Sequence, residues 1–119
     1  MNETWIYRRG DIYLVDLGTR FGSEQGGCRP VLLIQNDVGN SCGPTLIVAP
    51  ITARAWKKAE QPTHYRLENI DCLSKLSMVL LEQIITIDKR RIKKYMGSLK
   101  KEQMNRIDIC IAVSLGLVE

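Results

Sequence analysis

The stretch Asp11-Ile12-Tyr13-Leu14-Val15-Asp16, followed by a glycine-rich interval and then by Pro30-Val31-Leu32-Leu33-Ile34, decides the reading of the fold. In the first segment Ile12 and Leu14 fall on one face of an extended chain and Tyr13 and Val15 on the other, the period-two pattern of a strand. The interval from Leu17 to Gly27 holds four glycines in eleven residues, Leu17-Gly18-Thr19-Arg20-Phe21-Gly22-Ser23-Glu24-Gln25-Gly26-Gly27. Glycine relaxes the steric limits on backbone angles, so a mobile, turn-rich loop is expected there. Loops of this length in compact domains tend to be functional or disordered. Val31-Leu32-Leu33-Ile34 is a short continuous apolar run and reads as a buried strand.

Working outward, Asn36-Asp37-Val38-Gly39 and Asn40-Ser41-Cys42-Gly43-Pro44 carry turn chemistry. Thr45-Leu46-Ile47-Val48-Ala49-Pro50 is a third short strand. Residues 53–61, polar and basic around Trp56, read as an exposed loop. Residues 63–67 suit an edge strand, and Ser77-Met78-Val79-Leu80-Leu81 with Ile84-Ile85-Thr86-Ile87 adds one or two more. The period then changes. Asp88 is placed to cap a short basic helix that ends at Gly97. Ser98 is placed to cap a longer one, whose apolar positions Met104, Ile107, Ile111 and Leu115 fall at helical spacing. Strands first and helices last predict an α+β domain: a small curved antiparallel β-sheet or SH3-like barrel with a C-terminal helix and short flanking helices.

The 119 residues suit a single domain over 1–119, with residues 1–7 expected as a flexible tail. At 45% apolar residues the chain can build a core without disulfides or a structural metal. Seventeen basic against 13 acidic residues give a net charge of +4 and a pI near 9.0, a mild lean towards a polyanionic partner. Cys28, Cys42, Cys72 and Cys110 are far apart, form no C-x-x-C pair, and are expected reduced and mostly buried as small hydrophobes. No apolar leader opens the chain and no apolar run reaches membrane-spanning length, so a cytoplasmic protein with no membrane partner is expected.

The chemistry is narrowed by exclusion. One histidine, His64, cannot supply a two-imidazole acid–base mechanism within one subunit. No cluster of Asp, Glu and His has metal-ligand spacing, so no metal and no cofactor are called for. No phosphate-cradling GxxxxGK[ST] motif occurs. What remains is the glycine-rich loop with Arg29 just after it, where a strand begins. Because Arg29 precedes Pro30, its backbone is pushed towards an extended conformation. A guanidinium held at the mouth of a sheet suits bidentate capture of a phosphate, although a surface arginine in a solvated ion pair fits the same pattern. Thr52, at the end of the third strand, reads equally as a strand residue. Trp56 among Arg54, Lys57 and Lys58 could stack an unpaired base, or simply anchor a charged loop.

Several blocks in order resemble the MazF/PemK family of endoribonuclease toxins. They are Arg9-Gly10-Asp11-Ile12-Tyr13, Gly22-Ser23-Glu24-Gln25-Gly26-Gly27-Cys28-Arg29-Pro30-Val31, Gln35-Asn36-Asp37-Val38-Gly39-Asn40, Pro44-Thr45, Ala49-Pro50-Ile51-Thr52 and Pro62-Thr63-His64. Leu80-Leu81-Glu82-Gln83, Thr86-Ile87-Asp88-Lys89 and Ser114-Leu115-Gly116-Leu117 complete the series. The likeness runs from about residue 8 to residue 118 and is closest to MazF of Gram-positive bacteria. It implies a compact barrel-like sheet, a homodimer, metal-free cutting of single-stranded mRNA at short motifs, and a cognate MazE-like antitoxin that blocks the RNA groove. It implies Arg29 and Thr52 as catalytic residues, and Ser23 with its loop neighbours Phe21, Gly22 and Glu24, together with Glu82 and Gln83, as residues lining that groove. Two positions depart from the family: Cys28, where an aliphatic residue is usual, and the linker from Glu68 to Ser77.

Metal-free RNA cleavage uses the substrate's own 2′-hydroxyl as nucleophile, leaving a 2′,3′-cyclic phosphate and a 5′-hydroxyl. Arg29 suits stabilisation of the phosphoryl charge, but a guanidinium keeps its proton to about pH 12 and is a poor base. Glu24 and His64 are both open as proton acceptors. Two other readings share the sequence features: a gyrase poison of the CcdB kind, and a nucleic-acid-binding module that does not cleave.

Overall fold

A computed structural model describes residues 4–53 and 61–118. Among them the chain forms β1 (Asp11–Asp16), β2 (Cys28–Leu33), α1 (Asp37–Cys42), β3 (Thr45–Thr52), β4 (His64–Leu67), β5 (Ser77–Leu80), β6 (Ile85–Asp88), β7 (Ile92–Ser98) and α2 (Lys101–Ser114). The strands pair antiparallel in one seven-stranded sheet of order β4-β5-β3-β2-β1-β7, with β6 also pairing β3. The sheet is curved and does not close, so of the two expected forms it takes the open one. Part of the curvature comes from β1, whose register against β7 shifts twice, between Ile12 and Tyr13 and between Leu14 and Val15. Such irregularities bend a strand and increase its twist.

The period-two alternation of the central strands serves two cores. Ile12, Leu32, Ala49 and Ile51 pack on one side with Leu67, Val79, Leu81 and the α2 residues Met104, Ile107 and Cys110. Tyr13, Val15, Val31, Leu33 and Val48 pack on the other with Ile87 and Ile92, where β6 and β7 curl over. A strand covered on both faces has no polar face to show, which is why residues 31–34 read as an unbroken apolar run. Gly10, at φ +98°, lets α2 come close: a Cβ there would lie 3.3 Å from Met104 Cγ. The Gly10 amide donates to Leu33 O at 2.8 Å and its carbonyl accepts from Leu99 N at 2.9 Å, tying β2 to the start of α2.

Several expectations need correction. The basic segment after Asp88 is not a helix. Asp88 does cap a turn, its carboxylate accepting from Arg90 N at 2.8 Å, but the turn is one 3₁₀ turn over Lys89–Arg91 that runs into strand β7. Ile92 and Met96 sit at helical spacing, yet pairing with β1 overrides that local pattern. Lys93 and Lys94 are exposed along this end strand, where lysines discourage further strand addition. Ser98 closes β7, and α2 begins after Lys100, whose amide donates to Gln103 Oε1 at 2.8 Å. Leu115, the last apolar position of the expected helix, lies past the end of α2 and is 61% exposed, while Cys110 joins Met104 and Ile107 in the core. The turn expected at residues 36–44 contains α1, capped by Asn36 Oδ1 accepting from Gly39 N at 2.8 Å.

Of the cysteines only Cys110 is buried; Cys72 is half-buried, and Cys28 and Cys42 are exposed. Within the stretch expected as a flexible tail, Trp5 and Tyr7 pack down: Trp5 Nε1 donates to Tyr13 Oη at 2.9 Å, and Tyr7 lies against the Tyr13 ring. Tyr13 Oη donates in turn to the buried Asp11 carboxylate at 2.7 Å. Burial, reinforced by that carboxylate, pushes the Tyr13 phenol far above its ordinary value, so it stays a donor. Among the described residues no helix is long and apolar enough to cross a membrane.

Candidate functional site

The glycine-rich loop between β1 and β2 closes at its base through paired backbone bonds. Leu17 N donates to Gly27 O at 3.0 Å and Gly27 N to Gly18 O at 2.9 Å. These bonds bring the chain back to the sheet at Arg29, which sits opposite Val15 on β1. Loop backbone then orients the arginine: its Nε donates to Gly26 O at 2.8 Å, and its Nη1 to the Gln25 side-chain oxygen. Gly26 is required for this close approach, since a Cβ there would lie 2.9 Å from Gly18 O and 2.8 Å from Arg20 Cγ.

Thr52 reaches the same place from the neighbouring strand. β2 and β3 pair with Val31 opposite Pro50 and Leu32 opposite Ala49. Continuing that register two places towards the strand ends sets Arg29 opposite Thr52. Beside them an open cavity of about 650 Å³ is lined by Arg29, Thr52, Cys28 and loop residues Gly22 to Gly26. Thr52 is 3% exposed and fixed by its pairing with Met78 on β5, so the floor of the cavity is rigid.

A second open cavity, of about 390 Å³, lies on the other side of Ser23, Glu24 and Gln25 and is lined by Arg20, Glu82, Gln83 and Pro50. The loop residues form the wall common to both. They are held there by Gln83, which follows β5 in a 3₁₀ turn (Leu81–Gln83). Its Oε1 accepts from Gln25 N at 2.9 Å, and its Nε2 donates to Ser23 O at 3.2 Å. A loop expected to be mobile is therefore tethered across to the far strands. Glu24 lines both cavities; its Oε1 accepts from Phe21 N at 2.9 Å and lies 3.8 Å from Arg20 Nε. Phe21 is 89% exposed beside it.

The structure thus gathers Arg29, Thr52, Gly22, Ser23, Glu24, Glu82 and Gln83 around two adjoining cavities, with Phe21 at the loop's outer edge. Trp56 lies outside the described residues. His64 lines neither cavity: its side chain is 3% exposed, behind Glu82, with Nε2 at 2.6 Å from Glu82 Oε2. Reading the sequence passed over Gln25 as an individual residue, and with it the orientation of Arg29. Its signal was position, four residues before the arginine in a turn-forming segment. Among the described residues no three His, Cys, Asp or Glu side chains gather as a group that could hold a metal ion.

The sequence profile of the PemK-like, MazF-like toxins of type II toxin–antitoxin systems matches residues 8–115. The fold is similar to that of an endoribonuclease in complex with its cognate antitoxin from a mycobacterial species, at a TM-score of 0.79 and 26% identity over 95% of this chain and 98% of that one. It is similar also to an endoribonuclease from a mycobacterial species, at 0.77 and 23% identity over 97% and 96% of the two chains. MazF from Deinococcus radiodurans gives 0.78 and 19% identity over 94% and 98%. The last two likenesses speak to the fold alone.

Proposed function

Because this chain belongs to the PemK-like, MazF-like family of toxins from type II toxin–antitoxin systems, we propose that it is an endoribonuclease. It cuts single-stranded mRNA at a short motif without a metal ion and so arrests translation. The observation that carries the proposal is the oriented Arg29 guanidinium, which lines an open cavity together with Thr52. A planar fork whose direction is set beforehand stabilises charge on phosphoryl oxygens without reorganising during the reaction.

In the proposed step the 2′-oxygen bonds to the adjacent phosphorus and the bond to the 5′-oxygen breaks, giving a 2′,3′-cyclic phosphate and a 5′-hydroxyl. Arg29 offsets the charge on the non-bridging oxygens and Thr52 orients them with one hydrogen bond. Of the two proton acceptors open on sequence grounds, Glu24 borders the cavity and His64 does not. We therefore assign Glu24 the proton of the 2′-hydroxyl; the leaving 5′-oxygen takes a proton from water. Phe21, Gly22, Ser23, Glu82 and Gln83 line the path of the strand, and Trp56 adds a stacking surface. One domain carries the whole activity. It works in the cytoplasm as a homodimer, restrained by a MazE-like antitoxin that covers the groove, and its nearest kin are MazF proteins of Gram-positive bacteria.

The test is to incubate purified protein with long single-stranded RNA in EDTA, beside an Arg29→Ala variant. Fragments with defined ends from the wild type, and a loss of about 10²–10³ in rate for the variant, are expected. Intact RNA refutes the proposal, and intact RNA with inhibited DNA supercoiling replaces it with a gyrase poison.

A further inference from the structure

We infer that His64 is a positioning residue for the cleavage proposed above, acting through Glu82 and not at the phosphate. The inference rests on that function and extends it to a residue outside both cavities. His64 opens β4, the strand at the end of the sheet, opposite Leu80. Its buried ring sets Nε2 at 2.6 Å from Glu82 Oε2, while Thr63 Oγ1 is 3.5 Å from the other carboxylate oxygen. Glu82 itself is 36% exposed and lines the cavity beside Ser23 and Glu24. One partner is thus rigid and hidden, and the other is presented to whatever enters.

The turn that carries Glu82 is held on two further sides. Leu81 N donates to Thr63 O at 2.9 Å, and Ser114 Oγ on α2 donates to Leu81 O at 2.7 Å. The next residue, Gln83, grips the glycine-rich loop. A glutamate on such a turn retains several staggered side-chain wells unless something selects one. The bond to His64 makes that selection, because a charge-assisted hydrogen bond from a buried ring is short and directional. Imidazole protonated at Nε2 and imidazolium both donate to the carboxylate, so the orientation persists in either charge state. Held this way, Glu82 turns its carboxylate edge to the strand, where it accepts N–H or 2′-hydroxyl hydrogens from RNA.

Cleavage kinetics on a single-stranded RNA oligonucleotide bearing one cut site test the inference, with wild type, His64→Leu, His64→Gln, Glu82→Ala and the His64→Leu/Glu82→Ala double variant. Losing a hydrogen bond to a charged group that contacts substrate in ground and transition states alike raises KM about tenfold and leaves kcat within about threefold. That result is expected for His64→Leu. Glutamine places an amide N–H near the position of Nε2, so His64→Gln should recover most of the loss. In the Glu82→Ala background His64→Leu should add nothing, since residues acting through one contact are not additive. The thermal midpoint of each variant separates a folding defect from a kinetic one, and His64→Asn, whose shorter amide stops short of Glu82 and should show the same rise in KM, serves as the readable variant if His64→Leu unfolds. Wild-type KM in a folded His64→Leu, no recovery by His64→Gln, or independent effects in the double variant each overturn the inference. A wild type that cuts while His64→Leu is unaffected removes only the role of His64. A wild type that leaves the RNA intact removes the nuclease reading, and the role of His64 with it.

Discussion

Gln25→Ala isolates the orientation of Arg29 from its charge. In the structure Gly26 O at 2.8 Å and the Gln25 side-chain oxygen are among the acceptors that orient Arg29. The substitution removes one of them and leaves the guanidinium, its backbone and the Gly26 bond in place. A hydrogen bond from a charged donor contributes about 1.5–3 kcal/mol when buried. Arg29 is half-buried at the edge of an open cavity, so about 1 kcal/mol is the fitting figure once solvent competes for the same donor. That corresponds to about a fivefold fall in kcat/KM. Arg29→Lys keeps the charge but not the planar fork and should fall further, and Arg29→Ala should lose about 10²–10³. Initial rates on one fluorescent RNA oligonucleotide in EDTA give all three values, and circular dichroism melts establish that each variant is folded. The ranking wild type, Gln25→Ala, Arg29→Lys, Arg29→Ala is the prediction. A Gln25→Ala variant as slow as Arg29→Ala would mean that Gln25 contacts the substrate itself. An Arg29→Lys variant as fast as wild type would refute bidentate capture.

Four further outcomes follow from the same contacts. Gly26→Ala forces a Cβ to 2.9 Å from Gly18 O and displaces the carbonyl that Arg29 uses, so activity should drop about tenfold or more while the thermal midpoint moves little; an unchanged rate would show that the loop relaxes freely. Ile107→Ala empties a fully buried site between α2 and the sheet, and a urea titration should read a loss of about 2–5 kcal/mol with an unchanged slope. Hydrogen bonds from the Arg90 side chain and amide hold the Asp88 carboxyl down to about 2, so its contribution to the turn is present above the ordinary carboxylate range and is lost as pH falls towards 2; an NMR titration should find that midpoint, moved up in Arg90→Ala. Exposed Cys28 and Cys42 should react with a thiol reagent well before Cys110, whose thiol is pushed up by burial, and alkylation of Cys28 in a Cys42→Ser background should slow cleavage, because Cys28 lines the arginine's cavity.

The residues that fixed the fold most clearly were those whose neighbours in sequence agree with their neighbours in space. Ile12 and Tyr13 alternate because the sheet has a core on each side, and Met104 and Ile107 repeat because α2 lies on one of them. Residues 89–96 misled because Ile92 and Met96 imitate a helical stripe, while the force that makes them a strand comes from β1, some 80 positions earlier. Arg29 was legible because Pro30 follows it and the glycine-rich loop ends two residues before it. The tether of Gln25 by Gln83, and the retreat of His64 behind Glu82, were not legible, because each depends on segments about 20 to 60 residues apart meeting side by side.

The tether of the glycine-rich loop has an evolutionary consequence. Its outer residues Phe21, Gly22 and Ser23 rest on a frame gripped by two glutamine side chains, while the sheet beneath takes its stability from two cores that those outer residues do not enter. Under the proposed function, lineages can therefore exchange the side chains of the loop's exposed tip, and with them its contacts to RNA, without disturbing the guanidinium or melting the scaffold. Diversification of target choice and retention of the cutting apparatus are separable in this architecture.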